Sequence, residues 1–319
     1  MNPLLTISGL TVRFHLRDAV VQAATDIDLA VRPGELLAVV GESGCGKSVL
    51  AHALLGLLPA NATVTGRATL TLDAPGATPG RGAASVDLLG CGEKTLAGEI
   101  RGRRVGLIPQ SPATALTPVR RGRRLLAETL AAHGRDPGLA DRVARDAGLD
   151  AEDLDRYPFA LSGGMAQRLA TALALAGDPP LLIADEPTSG LDRPLVEHTL
   201  DLLRRRCDDG AAVLLITHDL AAAERVADTL AVMYAGRIVE HRAADDLFRA
   251  PGHPYTRGLL NALPDREFRA IPGHPPMLTA LPEGCAFAAR CERVSSACVI
   301  QPAGPVACHH PLSMAEVPA

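Results

Sequence analysis

The stretch GESGCGKS, residues 41 to 48, brings together three glycines, a lysine and a serine at a spacing suited to holding phosphate. Gly41, Gly44 and Gly46 free the backbone to curl until successive N–H groups point inward at phosphate oxygens. A helix beginning near Lys47 adds its positive end. Lys47 then reaches the β- and γ-phosphates of a nucleotide, and Ser48 offers a hydroxyl to a Mg²⁺ ion that bridges them. Lys47 is conspicuous, because the chain has only one other lysine, Lys94, and draws the rest of its cationic charge from arginine. The candidate contacts are Gly41, Ser43, Gly44, Cys45, Gly46, Lys47, Ser48 and Val49, with the Cys45 side chain serving as a small filler.

Two further stretches could act on the same group. LLIADE (Leu181 to Glu186) is a short apolar run that ends in two carboxylates. Asp185 can join the Mg²⁺ shell, and Glu186 lies beside it where an attacking water could be polarised. LSGGMAQRLATALALAG (Leu161 to Gly177) sets Ser162, Gly163 and Gly164 at the head of a long aliphatic helix, a second anion-binding N-terminus. Two such cradles in one sequence suggest one nucleotide shared between two chains.

Buried elements must position these residues. ELLAVV (Glu35 to Val40) is, after its first residue, the kind of run buried on both faces of a parallel sheet, and it leads straight into the glycine loop and the helical VLAHALLGLL. LLTISGLTVRF (Leu4 to Phe14) and VQAATDIDLAV (Val21 to Val31) alternate as strands of an antiparallel layer do. AVLLIT, ahead of His218, reads as another strand. The glycine- and alanine-rich DAPGATPGRGAAS (Asp73 to Ser85) reads as a loop.

The 319 residues are 47% hydrophobic, enough for a sizeable core, but there is no Trp and only eight Phe and Tyr, so aliphatic packing is expected. A net charge of −4 argues against a general nucleic-acid binder. No apolar run reaches membrane-spanning length, and the residues after Met1 do not form a signal peptide, so a soluble, cytosolic chain is expected. In a reducing compartment the four cysteines between Gly284 and His310 point to a metal or a reactive site rather than to disulfides.

GESGCGKS, LSGGM, LLIADEP, SGLD and LLITHDL, in this order, resemble the nucleotide-binding subunit of an ABC transporter over roughly residues 4 to 250. The resemblance implies that Phe14 stacks on adenine. It implies that Gln110 of GLIPQSP senses the γ-phosphate, contributes to the Mg²⁺ shell and faces the membrane partner, and that His218 contacts the γ-phosphate. It also implies a head-to-tail pair of subunits in which Ser162, Gly163 and Gly164 of one chain complete the partner's ATP site, with Asp192 of SGLD at the same interface. The catalytic set is Glu186, His218 and Gln110. The arginine-dotted stretch after Gln110 resembles the helical subdomain that receives the permeases, although a solvated basic face is an equal reading of RRGRR.

The later GHPYTRGLLNALP, IPGHPPML and cysteine-bearing segments resemble the C-terminal extension of the peptide and nickel importer branch. That resemblance implies a [4Fe–4S] cluster on Cys285, Cys291, Cys298 and Cys308. Their spacing alone, which lacks a tight C-x2-C pair, leaves a four-thiolate Zn²⁺ site and unligated, packed thiols open. Either metal would supply folding energy to about fifty residues that bury little surface. Cys91 and Cys207 read as structural.

The expected fold is therefore α/β, a P-loop NTPase of the ABC ATPase type. It carries an antiparallel β layer, a helical subdomain at about 111–177 within an ATPase domain of 1–250, and a Cys-containing extension at 251–319. The expected function is ATP hydrolysis that energises import of di- and oligopeptides, with nickel, metal chelates or other small solutes as alternative cargo. The expected partners are two membrane-spanning permeases, a second ATPase subunit of paralogous sequence and an extracytoplasmic binding protein, with the chain peripheral on the cytoplasmic face. A soluble ABC ATPase in DNA repair or translation is the rival of another class. It would be expected to carry a coiled-coil interruption or tandem cassettes, and this chain has one cassette and no long heptad run.

Overall fold

Alternating apolar residues near the start of the chain form β1 (Leu5–His15) and β2 (Val20–Val31), which join β4 (Ala62–Leu72) and β5 (Ala84–Asp87) in a sheet of order β2-β1-β4-β5. β4 runs antiparallel to β1, with Leu5 opposite Leu70 and Phe14 opposite Ala62. The structure is a computed structural model that describes residues 2–72 and 84–313. Of the loop expected over Asp73 to Ser85, residues 73–83 lie outside the described residues. Ala84 and Ser85 belong to β5, where they pair with Leu72 and Thr71.

The chain divides into two compact units. One comprises Val31–Leu36 and Cys91–Ile216 with the first residues of the chain. The other comprises Leu5–Ala30, Leu37–Gly90 and the chain from Thr217 onward.

In the first unit β6 (Val105–Ile108), β7 (Leu181–Asp185) and β8 (Ala212–Thr217) run parallel, with Val105 opposite Leu181 and Leu181 opposite Ala212. Every residue of β7 and β8 is buried, as their uninterrupted apolar sequences require. The Gly163–Leu175 helix buries Leu169, Ala170 and Ala172, while the Gly122–Ala132 and Ala140–Asp146 helices build the arginine-dotted region. Arg120, Arg121 and Arg124 are exposed, as a solvated basic face would be, yet each has a partner. Arg123 forks onto Asp155 (2.8 and 3.0 Å), reaches Asp141 and donates to the Ala151 carbonyl at 2.9 Å. Arg120 and Arg124 share Glu128, and Arg121 lies 5.3 Å above the Tyr157 ring.

In the second unit β9 (Thr229–Tyr234) runs parallel to β3 (Leu36–Val40), and β10 (Arg237–Ala243) turns back antiparallel to β9. The C-terminal extension is sewn to β10. Glu240, fully buried, accepts the Gly252 and His253 N–H groups at 2.7 and 2.8 Å. The Ala307 N–H donates to Val239 and the His241 N–H to Pro305, both backbone bonds. Composition favours aliphatic packing, yet three of the scarce aromatics gather here. Tyr234 and Tyr255 stand 4.5 Å apart, and Phe287 lies 5.4 Å from each. The extension thus has a core of its own kind, built on Phe287, where the sequence promised little burial.

His253 sits in this packing with Nδ1 accepting the Tyr255 N–H at 3.0 Å and Nε2 buried without a partner among the described residues. Burial pushes its pKa down to about 4, against a smaller upward pull from the Ala307 backbone. The unfolded chain, with an ordinary value of about 6.5, therefore binds a proton that the folded chain refuses. Stability from this group is complete above pH 6.5 and drains away as pH falls toward 4, by about 3 kcal/mol in all. Urea midpoints measured between pH 7.5 and 4.5 should fall accordingly, and His253→Gln should flatten that part of the slope.

Candidate functional site

The phosphate loop, 41–48, leaves β3 and enters the Lys47–Leu54 helix. Gly46 caps that helix in the left-handed region at φ +107°, with no side-chain cap, and the positive end of the helix lies at the loop, where it suits an anion. A Cβ at Gly46 would come within 2.0 Å of the Ala23 carbonyl oxygen, and one at Gly41 within 2.1 Å of the Met233 oxygen. Only glycine lets the loop pass this close to the neighbouring strands. The Cys45 carbonyl accepts the Gly236 N–H at 2.9 Å, tying the loop to the β9–β10 turn. Burial pushes the Cys45 thiol up, the main influence among several, which suits a side chain that only fills space.

Lys47 is 6% exposed, and its Nζ donates to the Gly41 and Glu42 carbonyls at 2.8 and 3.2 Å. The loop is braced a second time where the Glu42 N–H donates to the Tyr255 hydroxyl at 3.0 Å. Ser43 and Gly44 form its exposed rim, and Ser48 and Val49 are half-buried. The same unit carries Phe14, half-buried on β1, and His218, exposed just beyond β8.

The other unit carries the carboxylates. Asp185 ends β7 at 2% exposure and Glu186 follows at 6%. The Glu186 N–H donates to Ile216 at 2.8 Å while its φ of +48° holds a non-glycine residue in the left-handed region. Such strain costs on the order of 1–3 kcal/mol and persists where surrounding structure imposes it, which is a mark of functional positions. Pro187 follows at once, so the strand stops and the carboxylate is left at its end.

Ser162 caps the Gly163–Leu175 helix, its Oγ accepting the Met165 N–H at 3.3 Å. Ser162 and Gly163 are exposed, and a Cβ at Gly163 would meet nothing within 4 Å, so this helix end is open for another molecule to approach. Asp192 caps the Arg193–Asp208 helix in the same way, accepting the Leu195 N–H at 3.3 Å, and is also exposed. Gln110 is exposed one residue after Pro109, whose carbonyl accepts Nε2 of the buried Gln167 at 3.1 Å. Gln167, which ties the glycine-headed helix to the backbone before Gln110, escapes a motif reading. Its signal is a polar residue on the buried face of an aliphatic helix.

All four C-terminal cysteines are free and partly buried. The Arg293 N–H donates to Cys291 Sγ at 3.4 Å and the His310 N–H to Cys308 Sγ at 3.3 Å, and the Phe287 N–H bonds to Cys285. The Cys285 N–H donates to the Cys298 carbonyl at 2.9 Å, and Gly284 is needed there because a Cβ would come within 2.3 Å of that oxygen. Burial raises the Cys285, Cys291 and Cys308 thiols, and neighbouring thiols of the set raise them further. Among the described residues no group of three or more His, Cys, Asp or Glu side chains is arranged to hold a metal ion. No helix among them is long and apolar enough to cross a membrane.

The chain is similar to known proteins. The family profile described as ABC transporter matches residues 24–189, and that of the oligopeptide/dipeptide transporter C-terminal region matches 239–298. The chain is 37% identical over 318 residues to the oligopeptide transport ATP-binding protein OppD of Haemophilus influenzae, covering 95% of this chain and 93% of that protein. It is 37% identical over 333 residues to a putative peptide import ATP-binding protein of Brucella melitensis, covering 97% and 96%. OppD of Mycobacterium tuberculosis is 39% identical over 316 residues, 94% of this chain but 49% of that protein, so the chain spans about half the length of this relative. Among solved structures, a dimeric ATP-binding cassette in a post-hydrolysis state with ADP and Pi aligns at a TM-score of 0.65 and 23% identity, over 75% of this chain and 98% of that one, a likeness of fold. An ATP-binding subunit of an ABC transporter aligns at 0.59 and 26%, over 77% and 92%.

Proposed function

We propose, for a chain that belongs to the ABC transporter family of ATP-binding proteins, that it hydrolyses ATP to drive uptake of peptides through a membrane complex. The phosphate loop is the observation that carries the ATPase reading, since its glycines, helix start and Lys47 have the shape and charge that a triphosphate requires. Cargo is carried by the match of residues 239–298 to the C-terminal region of oligopeptide and dipeptide transporters.

In this reading the N–H groups from Gly41, Ser43, Gly44, Cys45, Gly46, Lys47, Ser48 and Val49 cradle the phosphates, Lys47 neutralises the β- and γ-phosphates, and Phe14 covers the adenine. Ser48, Asp185 and Gln110 offer hard oxygen donors of the kind Mg²⁺ takes, and the ion, when bound, neutralises phosphate charge. Glu186 orients the attacking water and accepts its proton, and His218 and Gln110 read the γ-phosphate. Ser162, Gly163, Gly164 and Asp192 serve the site of a second ATPase subunit, a paralogue. The exposure of Ser162, Gly163 and Asp192 supports that assignment. The remaining partners are two permeases and an extracytoplasmic binding protein, with this chain peripheral on the cytoplasmic face.

Cys285, Cys291, Cys298 and Cys308 hold a [4Fe–4S] cluster in the same reading. Backbone N–H bonds to three of the thiols support it, since such bonds stabilise sulfur ligands of clusters. A four-thiolate Zn²⁺ site is the alternative for the same four residues. Anaerobically purified protein is expected to be brown and to contain iron and sulfide. Cys298→Ser should lose both and melt at lower temperature, whereas stoichiometric zinc in the wild type would replace the cluster reading.

The function is tested by reconstituting the chain with its permeases, ATPase partner and binding protein in vesicles loaded with Mg-ATP on the cytoplasmic side. ATP-dependent accumulation of a labelled tri- or tetrapeptide is expected. Accumulation of a nickel chelate and not of peptide would reassign the cargo, and uptake without ATP turnover would overturn the reading.

A further inference from the structure

Two side chains of the C-terminal extension, Arg290 and Tyr255, reach the phosphate loop. Arg290, with its side chain 4% exposed, forks onto Glu42, donating Nη1 to Oε2 at 2.9 Å and Nη2 to Oε1 at 3.1 Å. The same guanidinium donates Nε to the Pro272 carbonyl at 3.0 Å, Nη1 to the Tyr234 hydroxyl at 3.3 Å and Nη2 to the Ile271 carbonyl at 3.4 Å. Every one of its five N–H donors is therefore engaged. Its carbon also lies 5.7 Å from the Tyr234 ring centre and 5.9 Å from that of Phe287, within cation–π range. A cation anchored at so many points has little freedom, and whatever it grips is held in one place.

Glu42 is consequently fixed on all sides. Arg290 takes its carboxylate, the Tyr255 hydroxyl takes its N–H, and its own carbonyl accepts the Cys45 N–H at 3.3 Å and Lys47 Nζ at 3.2 Å. Turning the Glu42 peptide would move both groups that depend on that carbonyl, and these lie in the part of the loop that faces phosphate. Arg290 and Tyr255 come from the extension, 248 and 213 residues further along the chain. The phosphate loop of this protein is thus shaped from outside the segment that contains its motif.

We propose that Arg290 is a positioning residue for nucleotide binding: through its fork onto Glu42 the C-terminal extension presets the phosphate loop, and ATP affinity depends on that grip. The inference rests on the ATPase reading above. It makes the extension part of the apparatus that prepares the nucleotide pocket. The cost of losing the grip falls on ground-state binding, because neither Arg290 nor Glu42 touches reacting atoms in this assignment, so KM should move and kcat should not.

The full-length chain is titrated with Mg-ATP, and its turnover is measured with its ATPase partner present, for wild type, Arg290→Met, Glu42→Gln and the double variant. Each single change is expected to raise the ATP Kd and KM about tenfold, the effect of breaking a charge-assisted fork. Saturated turnover should stay within about twofold. The double variant should be no worse than the more affected single one, because both changes cut the same link. Unchanged affinity in the single variants, or effects that simply add in the double, would overturn the proposal. If Arg290→Met does not fold, Glu42→Gln decides alone, since it leaves every other Arg290 contact in place; wild-type affinity in that variant overturns the inference. A wild-type chain that binds no ATP would instead sink the ATPase reading itself.

Discussion

Glu186→Gln protein should bind Mg-ATP as well as wild type and turn it over at least about a hundredfold more slowly, the usual loss when a positioned general base is removed. Glutamine keeps the size and hydrogen-bonding reach of the side chain and removes the group proposed to accept a proton from water. The local backbone should tolerate the change, because the left-handed φ of +48° at Glu186 is held by its N–H bond to Ile216 and by the buried β7 behind it, neither of which involves the carboxylate. Binding measured by titration and turnover measured by phosphate release separate the two effects. A variant that hydrolyses ATP at a rate near wild type would move the base to another residue, and one that no longer binds ATP would show that Glu186 shapes the pocket itself.

Gly46→Ala should abolish nucleotide binding, and Gly44→Ala should not. The two glycines are neighbours in the same motif with positive φ, +107° and +80°. They differ in what surrounds them. A Cβ at Gly46 would come within 2.0 Å of the Ala23 carbonyl oxygen, a backbone atom in a sheet that cannot step aside, whereas one at Gly44 meets nothing within 4 Å. Gly44→Ala therefore bears only the left-handed strain of about 1–2 kcal/mol. Gly46→Ala adds a steric clash that forces the helix start away from the strands and scatters the N–H groups that would hold phosphate. ATP titration and thermal melting of both variants check this ordering, and equal affinities would remove the argument from close approach.

The two variants also mark how much the amino-acid sequence discloses. Gly41 to Ser48, Asp185 and Glu186, and Ser162 to Gly164 stand out because the phosphate and Mg²⁺ of the proposed site would impose residue types at fixed short spacing. β3, β7 and β8 stand out because strands buried on both faces must be apolar throughout. The glycine-headed helix was expected over Leu161 to Gly177 and runs from Gly163 to Leu175, its ends trimmed by the Ser162 cap and by fraying into the following turn. The helix after the phosphate loop starts at Lys47 and stops at Leu54, short of the apolar run to Leu58. Arg290 and Glu42, Gln167 and the Pro109 carbonyl, and Glu240 with the Gly252 and His253 N–H groups are joined only by folding. Nothing in the local pattern around any of them names its partner. The aromatic cluster of Tyr234, Tyr255 and Phe287 was missed for the same reason, since eight scattered aromatic residues do not reveal that three converge.

The two carbonyl contacts of Lys47 bear on which anions can enter. With two of its three ammonium N–H donors given to the Gly41 and Glu42 carbonyls, an incoming ligand must compete with the loop's own oxygens for the cation. Orthophosphate engages few loop N–H groups and repays that exchange poorly, while a triphosphate spans the whole curve and repays it several times over. An anion too short to reach most of the loop is thus expected to bind weakly, and discrimination begins with the lysine's exchange of two carbonyls for a guest.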